Sequence, residues 1–257
     1  MKKKERVILI IIASLVFLYI AISVIVSHIN LNKNTIYLGT GTRIYIRNNQ
    51  FVISDKDIKI DKQNVKIYFN KKIIDGYVLT EEESSTGYDN NLHAYSNDGE
   101  YLSFYSSLIA YTKDLKVKFL NIENENIDNI SLIKNYLVQD DIDINKIQLD
   151  YLTVSTFDLD NDDELESIYS LGLINNNEYD TIVVMLKDDD YYLLSQESSE
   201  YINDEDVTRL ELFGIMDFNN DNNYEFVLIK TVSEYSSNNY ELYNFDGNDF
   251  IKIGIEE

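Results

Sequence analysis

Residues 157–169 read FDLDNDDELESIY and residues 216–228 read MDFNNDNNYEFVL. In the first stretch Asp158, Asp160 and Asp162 alternate, and Glu166 follows four residues later. In the second Asp217, Asn219 and Asp221 alternate, and Glu225 follows at the same distance. Alternating apolar runs enter and leave both stretches, which is the period of a strand with one buried face. The unit is a strand, an acidic loop and a strand, and it occurs twice.

Working outward, the first unit predicts strands at 148–157, 165–173, 179–186 and 191–195, and the second at 210–216, 224–232, 240–245 and 250–253. Each is an antiparallel four-strand unit with its acidic loop between strands one and two. Asp188-Asp189-Asp190 and Asp246-Gly247-Asn248-Asp249 are corresponding later turns, read as hairpins rather than ligands. The predicted fold class is mainly β: an N-terminal transmembrane helix, then antiparallel β modules, the last built of two four-stranded blade-like repeats over 147–254.

The loop spacing suits a hard cation. Calcium takes about six to eight oxygen ligands at roughly 2.3–2.6 Å. Side chains at positions one, three and five turn toward one centre. A backbone carbonyl at position seven and a carboxylate at position nine complete the shell. The candidate ligands are Asp158, Asp160, Asp162, the carbonyl of Glu164 and Glu166, and in the second loop Asp217, Asn219, Asp221, the carbonyl of Asn223 and Glu225. An EF-hand wants Gly at position six, Glu at twelve and flanking helices, and this chain offers none of them. The second loop carries fewer carboxylates and is expected to bind more weakly.

The pattern D-x-[DN]-x-D-x-x-x-E between two strands resembles the FG-GAP repeats of integrin-type β-propellers and their bacterial relatives. The resemblance covers 147–254 and implies a loop that joins the first two strands of a blade and holds structural Ca2+. Family loops commonly have Gly at position six, where this chain has Asp163 and Asn222. Asn tolerates the left-handed backbone readily and Asp somewhat less so. A propeller usually needs four or more blades, so two blade-like sheets packed face to face are expected. The first module is read either as degenerate blades or as a separate fold.

Residues 7–27 are 21 residues without a charge, preceded by Lys2, Lys3, Lys4 and Arg6. At about 1.5 Å per residue such a run spans a bilayer core of about 30 Å. The basic flank stays cytoplasmic, so residues 1–6 form a cytoplasmic tail and the bulk lies outside. A cleaved signal peptide is the rival reading, but its apolar region is usually about 7–15 residues. The predicted location is the cell membrane, single-pass, with the C-terminal domain extracytoplasmic.

The 257 residues are 44% hydrophobic, which excludes wholesale disorder. No Cys means no disulfide, thiolate ligand or thiol nucleophile. Residues 31–80 carry nine bases against four acids, and residues 81–257 nine against forty. Phosphate is repelled by so acidic a surface, so no nucleic-acid partner is expected. The Ile-, Asn-, Lys- and Asp-rich, Pro-free style resembles single-pass membrane proteins of low-GC Gram-positive bacteria.

Residues 31–120 read as a juxtamembrane β module, a meander with strands at 43–47, 51–53, 65–69, 73–79, 92–96, 101–105, 108–111 and 115–120. Gly39-Thr40-Gly41-Thr42 reads as a turn, since it lacks the GxGxxG spacing and the Lys of a phosphate loop. Residues 81–91 read as a polar loop. Residues 121–146 form a polar bridge with a short helix near 130–138, where Ile130, Ile133 and Leu137 fall at helical spacing.

A catalytic constellation is not found. The only histidines are His28 and His93, and HExxH and GxSxG are absent. The expected function is a membrane-anchored extracytoplasmic binding or scaffold protein with calcium-type loops and an unknown extracytoplasmic protein or cell-wall ligand as partner. The alternative is a hydrolase acting on a cell-surface polymer, with carboxylates as its only available acid–base groups.

Overall fold

The computed structural model describes residues 14, 16–21, 34–38, 42–47, 50–54, 60, 62–83, 90–103, 108–125, 133, 137–138, 143, 146–175, 178–200, 207–232 and 239–253. The described chain is mainly antiparallel β-sheet. The predicted cytoplasmic tail lies outside these residues, as does most of the predicted span. Ser14 and residues 16–21 of that span are helical. Among the described residues no helix is long and apolar enough to cross a membrane.

The first eight strands are β1 (Thr35–Leu38), β2 (Thr42–Arg47), β3 (Gln50–Ser54), β4 (Gln63–Phe69), β5 (Lys72–Glu83), β6 (Asn90–Ser96), β7 (Tyr101–Ser103) and β8 (Leu108–Thr112). They form one sheet in the order β3-β2-β1-β8-β4-β5-β6-β7. It departs from the expected meander in its strand order. β8 inserts between β1 and β4, and Ala110 faces Tyr37 on one side and Ile67 on the other. β1 escaped the sequence reading because all four of its residues are buried, which removes the alternation that marks a strand. The β5–β6 hairpin also runs further than expected, pairing Glu81 with Leu92 and Glu83 with Asn90. The Gly39–Gly41 part of the predicted turn and residues 84–89 of the predicted loop lie outside the described residues. Asn70 and Lys71, both at positive φ, make the two-residue turn between β4 and β5.

The two repeats form the other sheets. The first contains β11 (Ile147–Phe157), β12 (Glu166–Asn175), β13 (Glu178–Lys187) and β14 (Asp190–Glu200), and the second β15 (Thr208–Asp217), β16 (Glu225–Val232), β17 (Asn239–Phe245) and β18 (Phe250–Ile253). Each gains a fifth strand from the segment that precedes the repeats. β9 (Lys118–Phe119) pairs with β15, and β10 (Glu123–Glu125) pairs with β11. The predicted strand at 115–120 shrinks to these two residues of β9. Strands on either side of the expected limit at residue 120 thus complete the repeat sheets.

The three sheets share buried surfaces, and the second-repeat sheet supplies both of its faces. Along β16, Phe226 and Leu228 point to one side and Val227 to the other, as strand alternation requires. Phe226, Leu228, Leu210 and Tyr243 pack against Phe157, Ile168, Val183 and Met185 of the first repeat. The repeats therefore meet face to face, as expected. Val227, Met216, Phe218 and Leu242 pack against Ile36, Ile44, Tyr68 and Tyr111 of the eight-stranded sheet. Tyr68 stacks on Phe119 at 4.5 Å and meets Phe213 edge-on at 5.7 Å. Lys71 adds a polar tie, donating to the Ile122 carbonyl at 2.9 Å and to Asn124 at 3.0 Å.

The predicted helix near 130–138 is described only at Ile133, Leu137 and Val138. The Leu137 amide donates to the Ile133 carbonyl at 3.0 Å. Both side chains are fully buried against Tyr169, Leu171 and Val184 on the outer face of the first-repeat sheet.

Candidate functional site

Both acidic loops are closed by a strand pair at the same point, Phe157 with Glu166 and Met216 with Glu225. Inside them the same hydrogen bonds recur. Asp158 accepts from the amides of Asp162 at 3.2 Å and Asp163 at 3.3 Å, and Asp217 accepts from Asp221 and Asn222, both at 3.1 Å. Asp162 accepts from the Glu164 amide and Asp221 from the Asn223 amide, each at 2.8 Å. Glu166 reaches back to the Leu159 amide at 2.7 Å, and Glu225 to the Phe218 amide at 2.9 Å. The last carboxylate of each loop is thus pulled under the first turn, where it is buried.

Two residues of each loop take the left-handed conformation. At position six these are Asp163 and Asn222, with φ of 68° and 70°. At position four they are Asn161 and Asn220, at 62° and 59°. The glycine-free loops close because Asn and Asp enter this region at lower cost than other side chains.

Asp158, Asp160 and Asp162 converge, with one oxygen from each lying within 4.8 Å of the others. Glu164 is exposed and faces the loop through its backbone amide. In the second loop Asn219 donates to Asp221 at 2.9 Å and also accepts from its amide at 3.2 Å. All ten predicted residues therefore belong to two matching loops, with Glu164 and Asn223 on their outer turns.

The sequence reading missed the basic residues that reach into these loops. Lys187, at the end of β13, donates to Asp160 at 2.7 Å and to Glu166 at 2.9 Å, and lies 3.3 Å from Asp188. Its side chain is 15% exposed. Burial pulls its pKa down, but the three carboxylate partners outweigh that and hold it above the usual lysine value. In turn Lys187 holds the Asp160 carboxyl below the usual range. Lys187 is the sole base between Lys146 and Arg209, and that isolation was the available signal. The second loop is touched from outside by Lys118, which lies 3.3 Å from the fully buried Asp217 and donates to Asn222 at 2.5 Å.

Glu225 lacks the equivalent of Lys187. Its cross-strand partner on β17 is Asn244, whereas Lys187 stands one step beyond the Ser167–Leu186 pair, opposite Glu166. Burial pushes the Glu225 carboxyl up to about 8. The Phe218 amide opposes the shift, and Asp221 and Asp217 add to it. The Asn244 Oδ1 is shielded from solvent and has no hydrogen-bond partner.

His93 shares a 2.7 Å hydrogen bond with the exposed Tyr101 hydroxyl at the β6–β7 edge of the eight-stranded sheet. No protein-family model, curated protein or solved structure matches this chain.

Proposed function

We propose that this chain is a membrane-anchored extracytoplasmic binding or scaffold protein whose two acidic loops take calcium and stiffen its stacked β-sheets. One observation carries the reading. Two loops 59 residues apart (158 to 217) build the same network of carboxylates on backbone amides, and in the first of them an ammonium lies between the carboxylates at positions three and nine. The loop thus favours positive charge where a cation ligated by Asp158, Asp160, Asp162, the Glu164 carbonyl and Glu166 would sit. The all-oxygen donor set suits a hard cation. The basic N-terminal flank and the apolar run at 7–27 support the anchor and its orientation.

The residues divide the work differently in the two loops. In the first, a divalent ion has to displace Lys187 from Asp160 and Glu166, so four carboxylates do not translate directly into high affinity. In the second, Glu225 gives up a proton when it becomes a ligand, so binding there strengthens as pH rises toward about 8. The FG-GAP resemblance supports this assignment at the level of the loop residues alone.

Calorimetric titration of the full chain at high, constant ionic strength tests the metal. Saturable calcium binding with weaker magnesium binding is expected, because magnesium demands near-octahedral geometry and sheds water reluctantly. Heat that never saturates makes both loops ordinary acidic turns. Protease added to intact protoplasts tests the topology. The acidic domain should be removed, and full protection overturns the orientation.

A further inference from the structure

A cavity of about 430 Å³ opens where the second acidic loop meets the β17–β18 hairpin, with Leu159 of the first loop in its wall. That volume falls within the range of about 300–1,000 Å³ usual for small-molecule sites. Its lining joins two kinds of surface. Tyr224 and Phe245 are partly exposed aromatics, and with Leu159 they give it an apolar side. Asn222, Asn223 and Asp246 are exposed and give it a polar side.

The polar side is specific in what it offers. An amide presents donors and an acceptor together, which matches a hydroxyl group that also does both. Asn222 commits its oxygen to Lys118, which turns its NH2 into the free end. Asn223 is held by its backbone amide on Asp221, so its side chain is not needed to build the loop. Asp246 accepts from the amides of Asn248 and Asp249 through one oxygen, both at 2.9 Å, leaving the second oxygen to accept from a ligand.

Charge and polarity narrow the ligand. None of the residues lining the cavity is cationic, and the neighbouring Lys118 is already engaged with Asp217 and Asn222, so an anionic ligand is repelled by Asp246 and the nearby loop carboxylates. A purely apolar ligand leaves the amides and Asp246 buried without partners, which is costly. A flat ring with apolar faces and an edge of hydroxyls satisfies both sides at once. We propose that this cavity binds a neutral sugar unit of a surface polysaccharide, stacked against Tyr224 and Phe245 and hydrogen-bonded by Asn222, Asn223 and Asp246. The sugar site goes beyond the calcium reading and does not rest on it, because none of the side chains invoked is a loop ligand; only the source of the sugar, a surface polymer, rests on the extracytoplasmic location proposed above.

The test is a titration of the full chain in a detergent without a sugar headgroup, with a chelator present so that metal binding plays no part. The probes are cellobiose, maltose and N,N′-diacetylchitobiose, with glucuronate and choline as charged comparators, followed by ligand-observed NMR. Saturable binding of at least one neutral disaccharide is expected. Asn223→Ala should weaken it about fivefold and Tyr224→Ala about tenfold or more, losses of the size of one hydrogen bond and one aromatic contact. Asp246→Asn, which keeps the turn, should weaken it less than Tyr224→Ala, and His93→Ala at the β6–β7 edge should leave it unchanged. Circular dichroism of each variant separates lost binding from lost folding. No saturable binding of any neutral disaccharide overturns the proposal. So does binding of choline or glucuronate in their place, or sugar binding that survives Asn223→Ala and Tyr224→Ala undiminished.

Discussion

Lys187 donates to Glu166 at 2.9 Å across β12 and β13, and in the second repeat the place opposite Glu225 belongs to Asn244. The ammonium of the first loop therefore reaches the buried glutamate at position nine, whereas the cation of the second, Lys118, sits at Asp217 and leaves Glu225 without one. Two loops with the same backbone plan place their counter-ions differently.

Removing the internal cation should be costly only when metal is absent. In chelator, Lys187→Met leaves Asp160 and the buried Glu166 uncompensated, and the loss is about 2 kcal/mol, the scale of a charged hydrogen bond. Calcium should restore the variant's melting temperature and bind its first loop more tightly than in the parent. Thermal melts in chelator and in calcium check both points. Equal stability of the two proteins in chelator excludes a role for Lys187 as counter-ion.

Glu225 gives the fold a distinct response to pH. Its folded pKa of about 8 lies above the ordinary glutamate value of 4.5. The folded state holds the proton that the unfolded state has released, so this group's contribution is fully present below about pH 4.5 and is lost as pH rises through about 8. In chelator, Glu225→Gln should remove that decline, so its melting temperature relative to the parent should rise between pH 5 and pH 8. A constant difference across that range argues against a raised pKa.

Calcium uptake at the second loop should release a proton near neutral pH, because Glu225 ionises on binding. Titrations in two buffers of different ionisation heat measure the release directly. Asp221→Ala should abolish it, while Asp160→Ala, which removes a first-loop ligand, should leave it in place. Loss of the release in Asp160→Ala instead assigns the proton to the first loop.

The sheets should unfold as one unit. Phe218 is fully buried between the second-repeat sheet and the eight-stranded sheet, and Phe218→Ala should cost about 3–5 kcal/mol. Denaturant unfolding followed by circular dichroism should stay a single transition at a lower midpoint. A fragment of residues 146–257 lacks β9 and β10 and exposes Met216, Phe218 and Val227. It should be less stable than the intact chain or fail to fold, and independent folding at full stability separates the sheets.

Local chemistry made much of this architecture legible in advance. Alternation placed the strands of both repeats, because one buried face imposes a period of two. The spacing of Asp158, Asp160, Asp162 and Glu166, matched at Asp217, Asn219, Asp221 and Glu225, located both loops and their order between strands. These features depend on residues within a few positions of one another, where the backbone geometry is nearly fixed by chain connectivity.

Tertiary structure alone decided the rest. β8 lies between β1 and β4, and β9 and β10 complete the repeat sheets. β8 and β9 fall in runs that read as strands, but no local period marks which edge, far away in sequence, each joins. Lys187 and Asn244 show the same limit at the site. Each sits 19 to 21 residues beyond the glutamate it faces, Glu166 to Lys187 and Glu225 to Asn244, and a two-residue difference between the repeats changes which side chain arrives. Strand register sets that meeting, and register is fixed by the packing of whole sheets rather than by the composition of either loop.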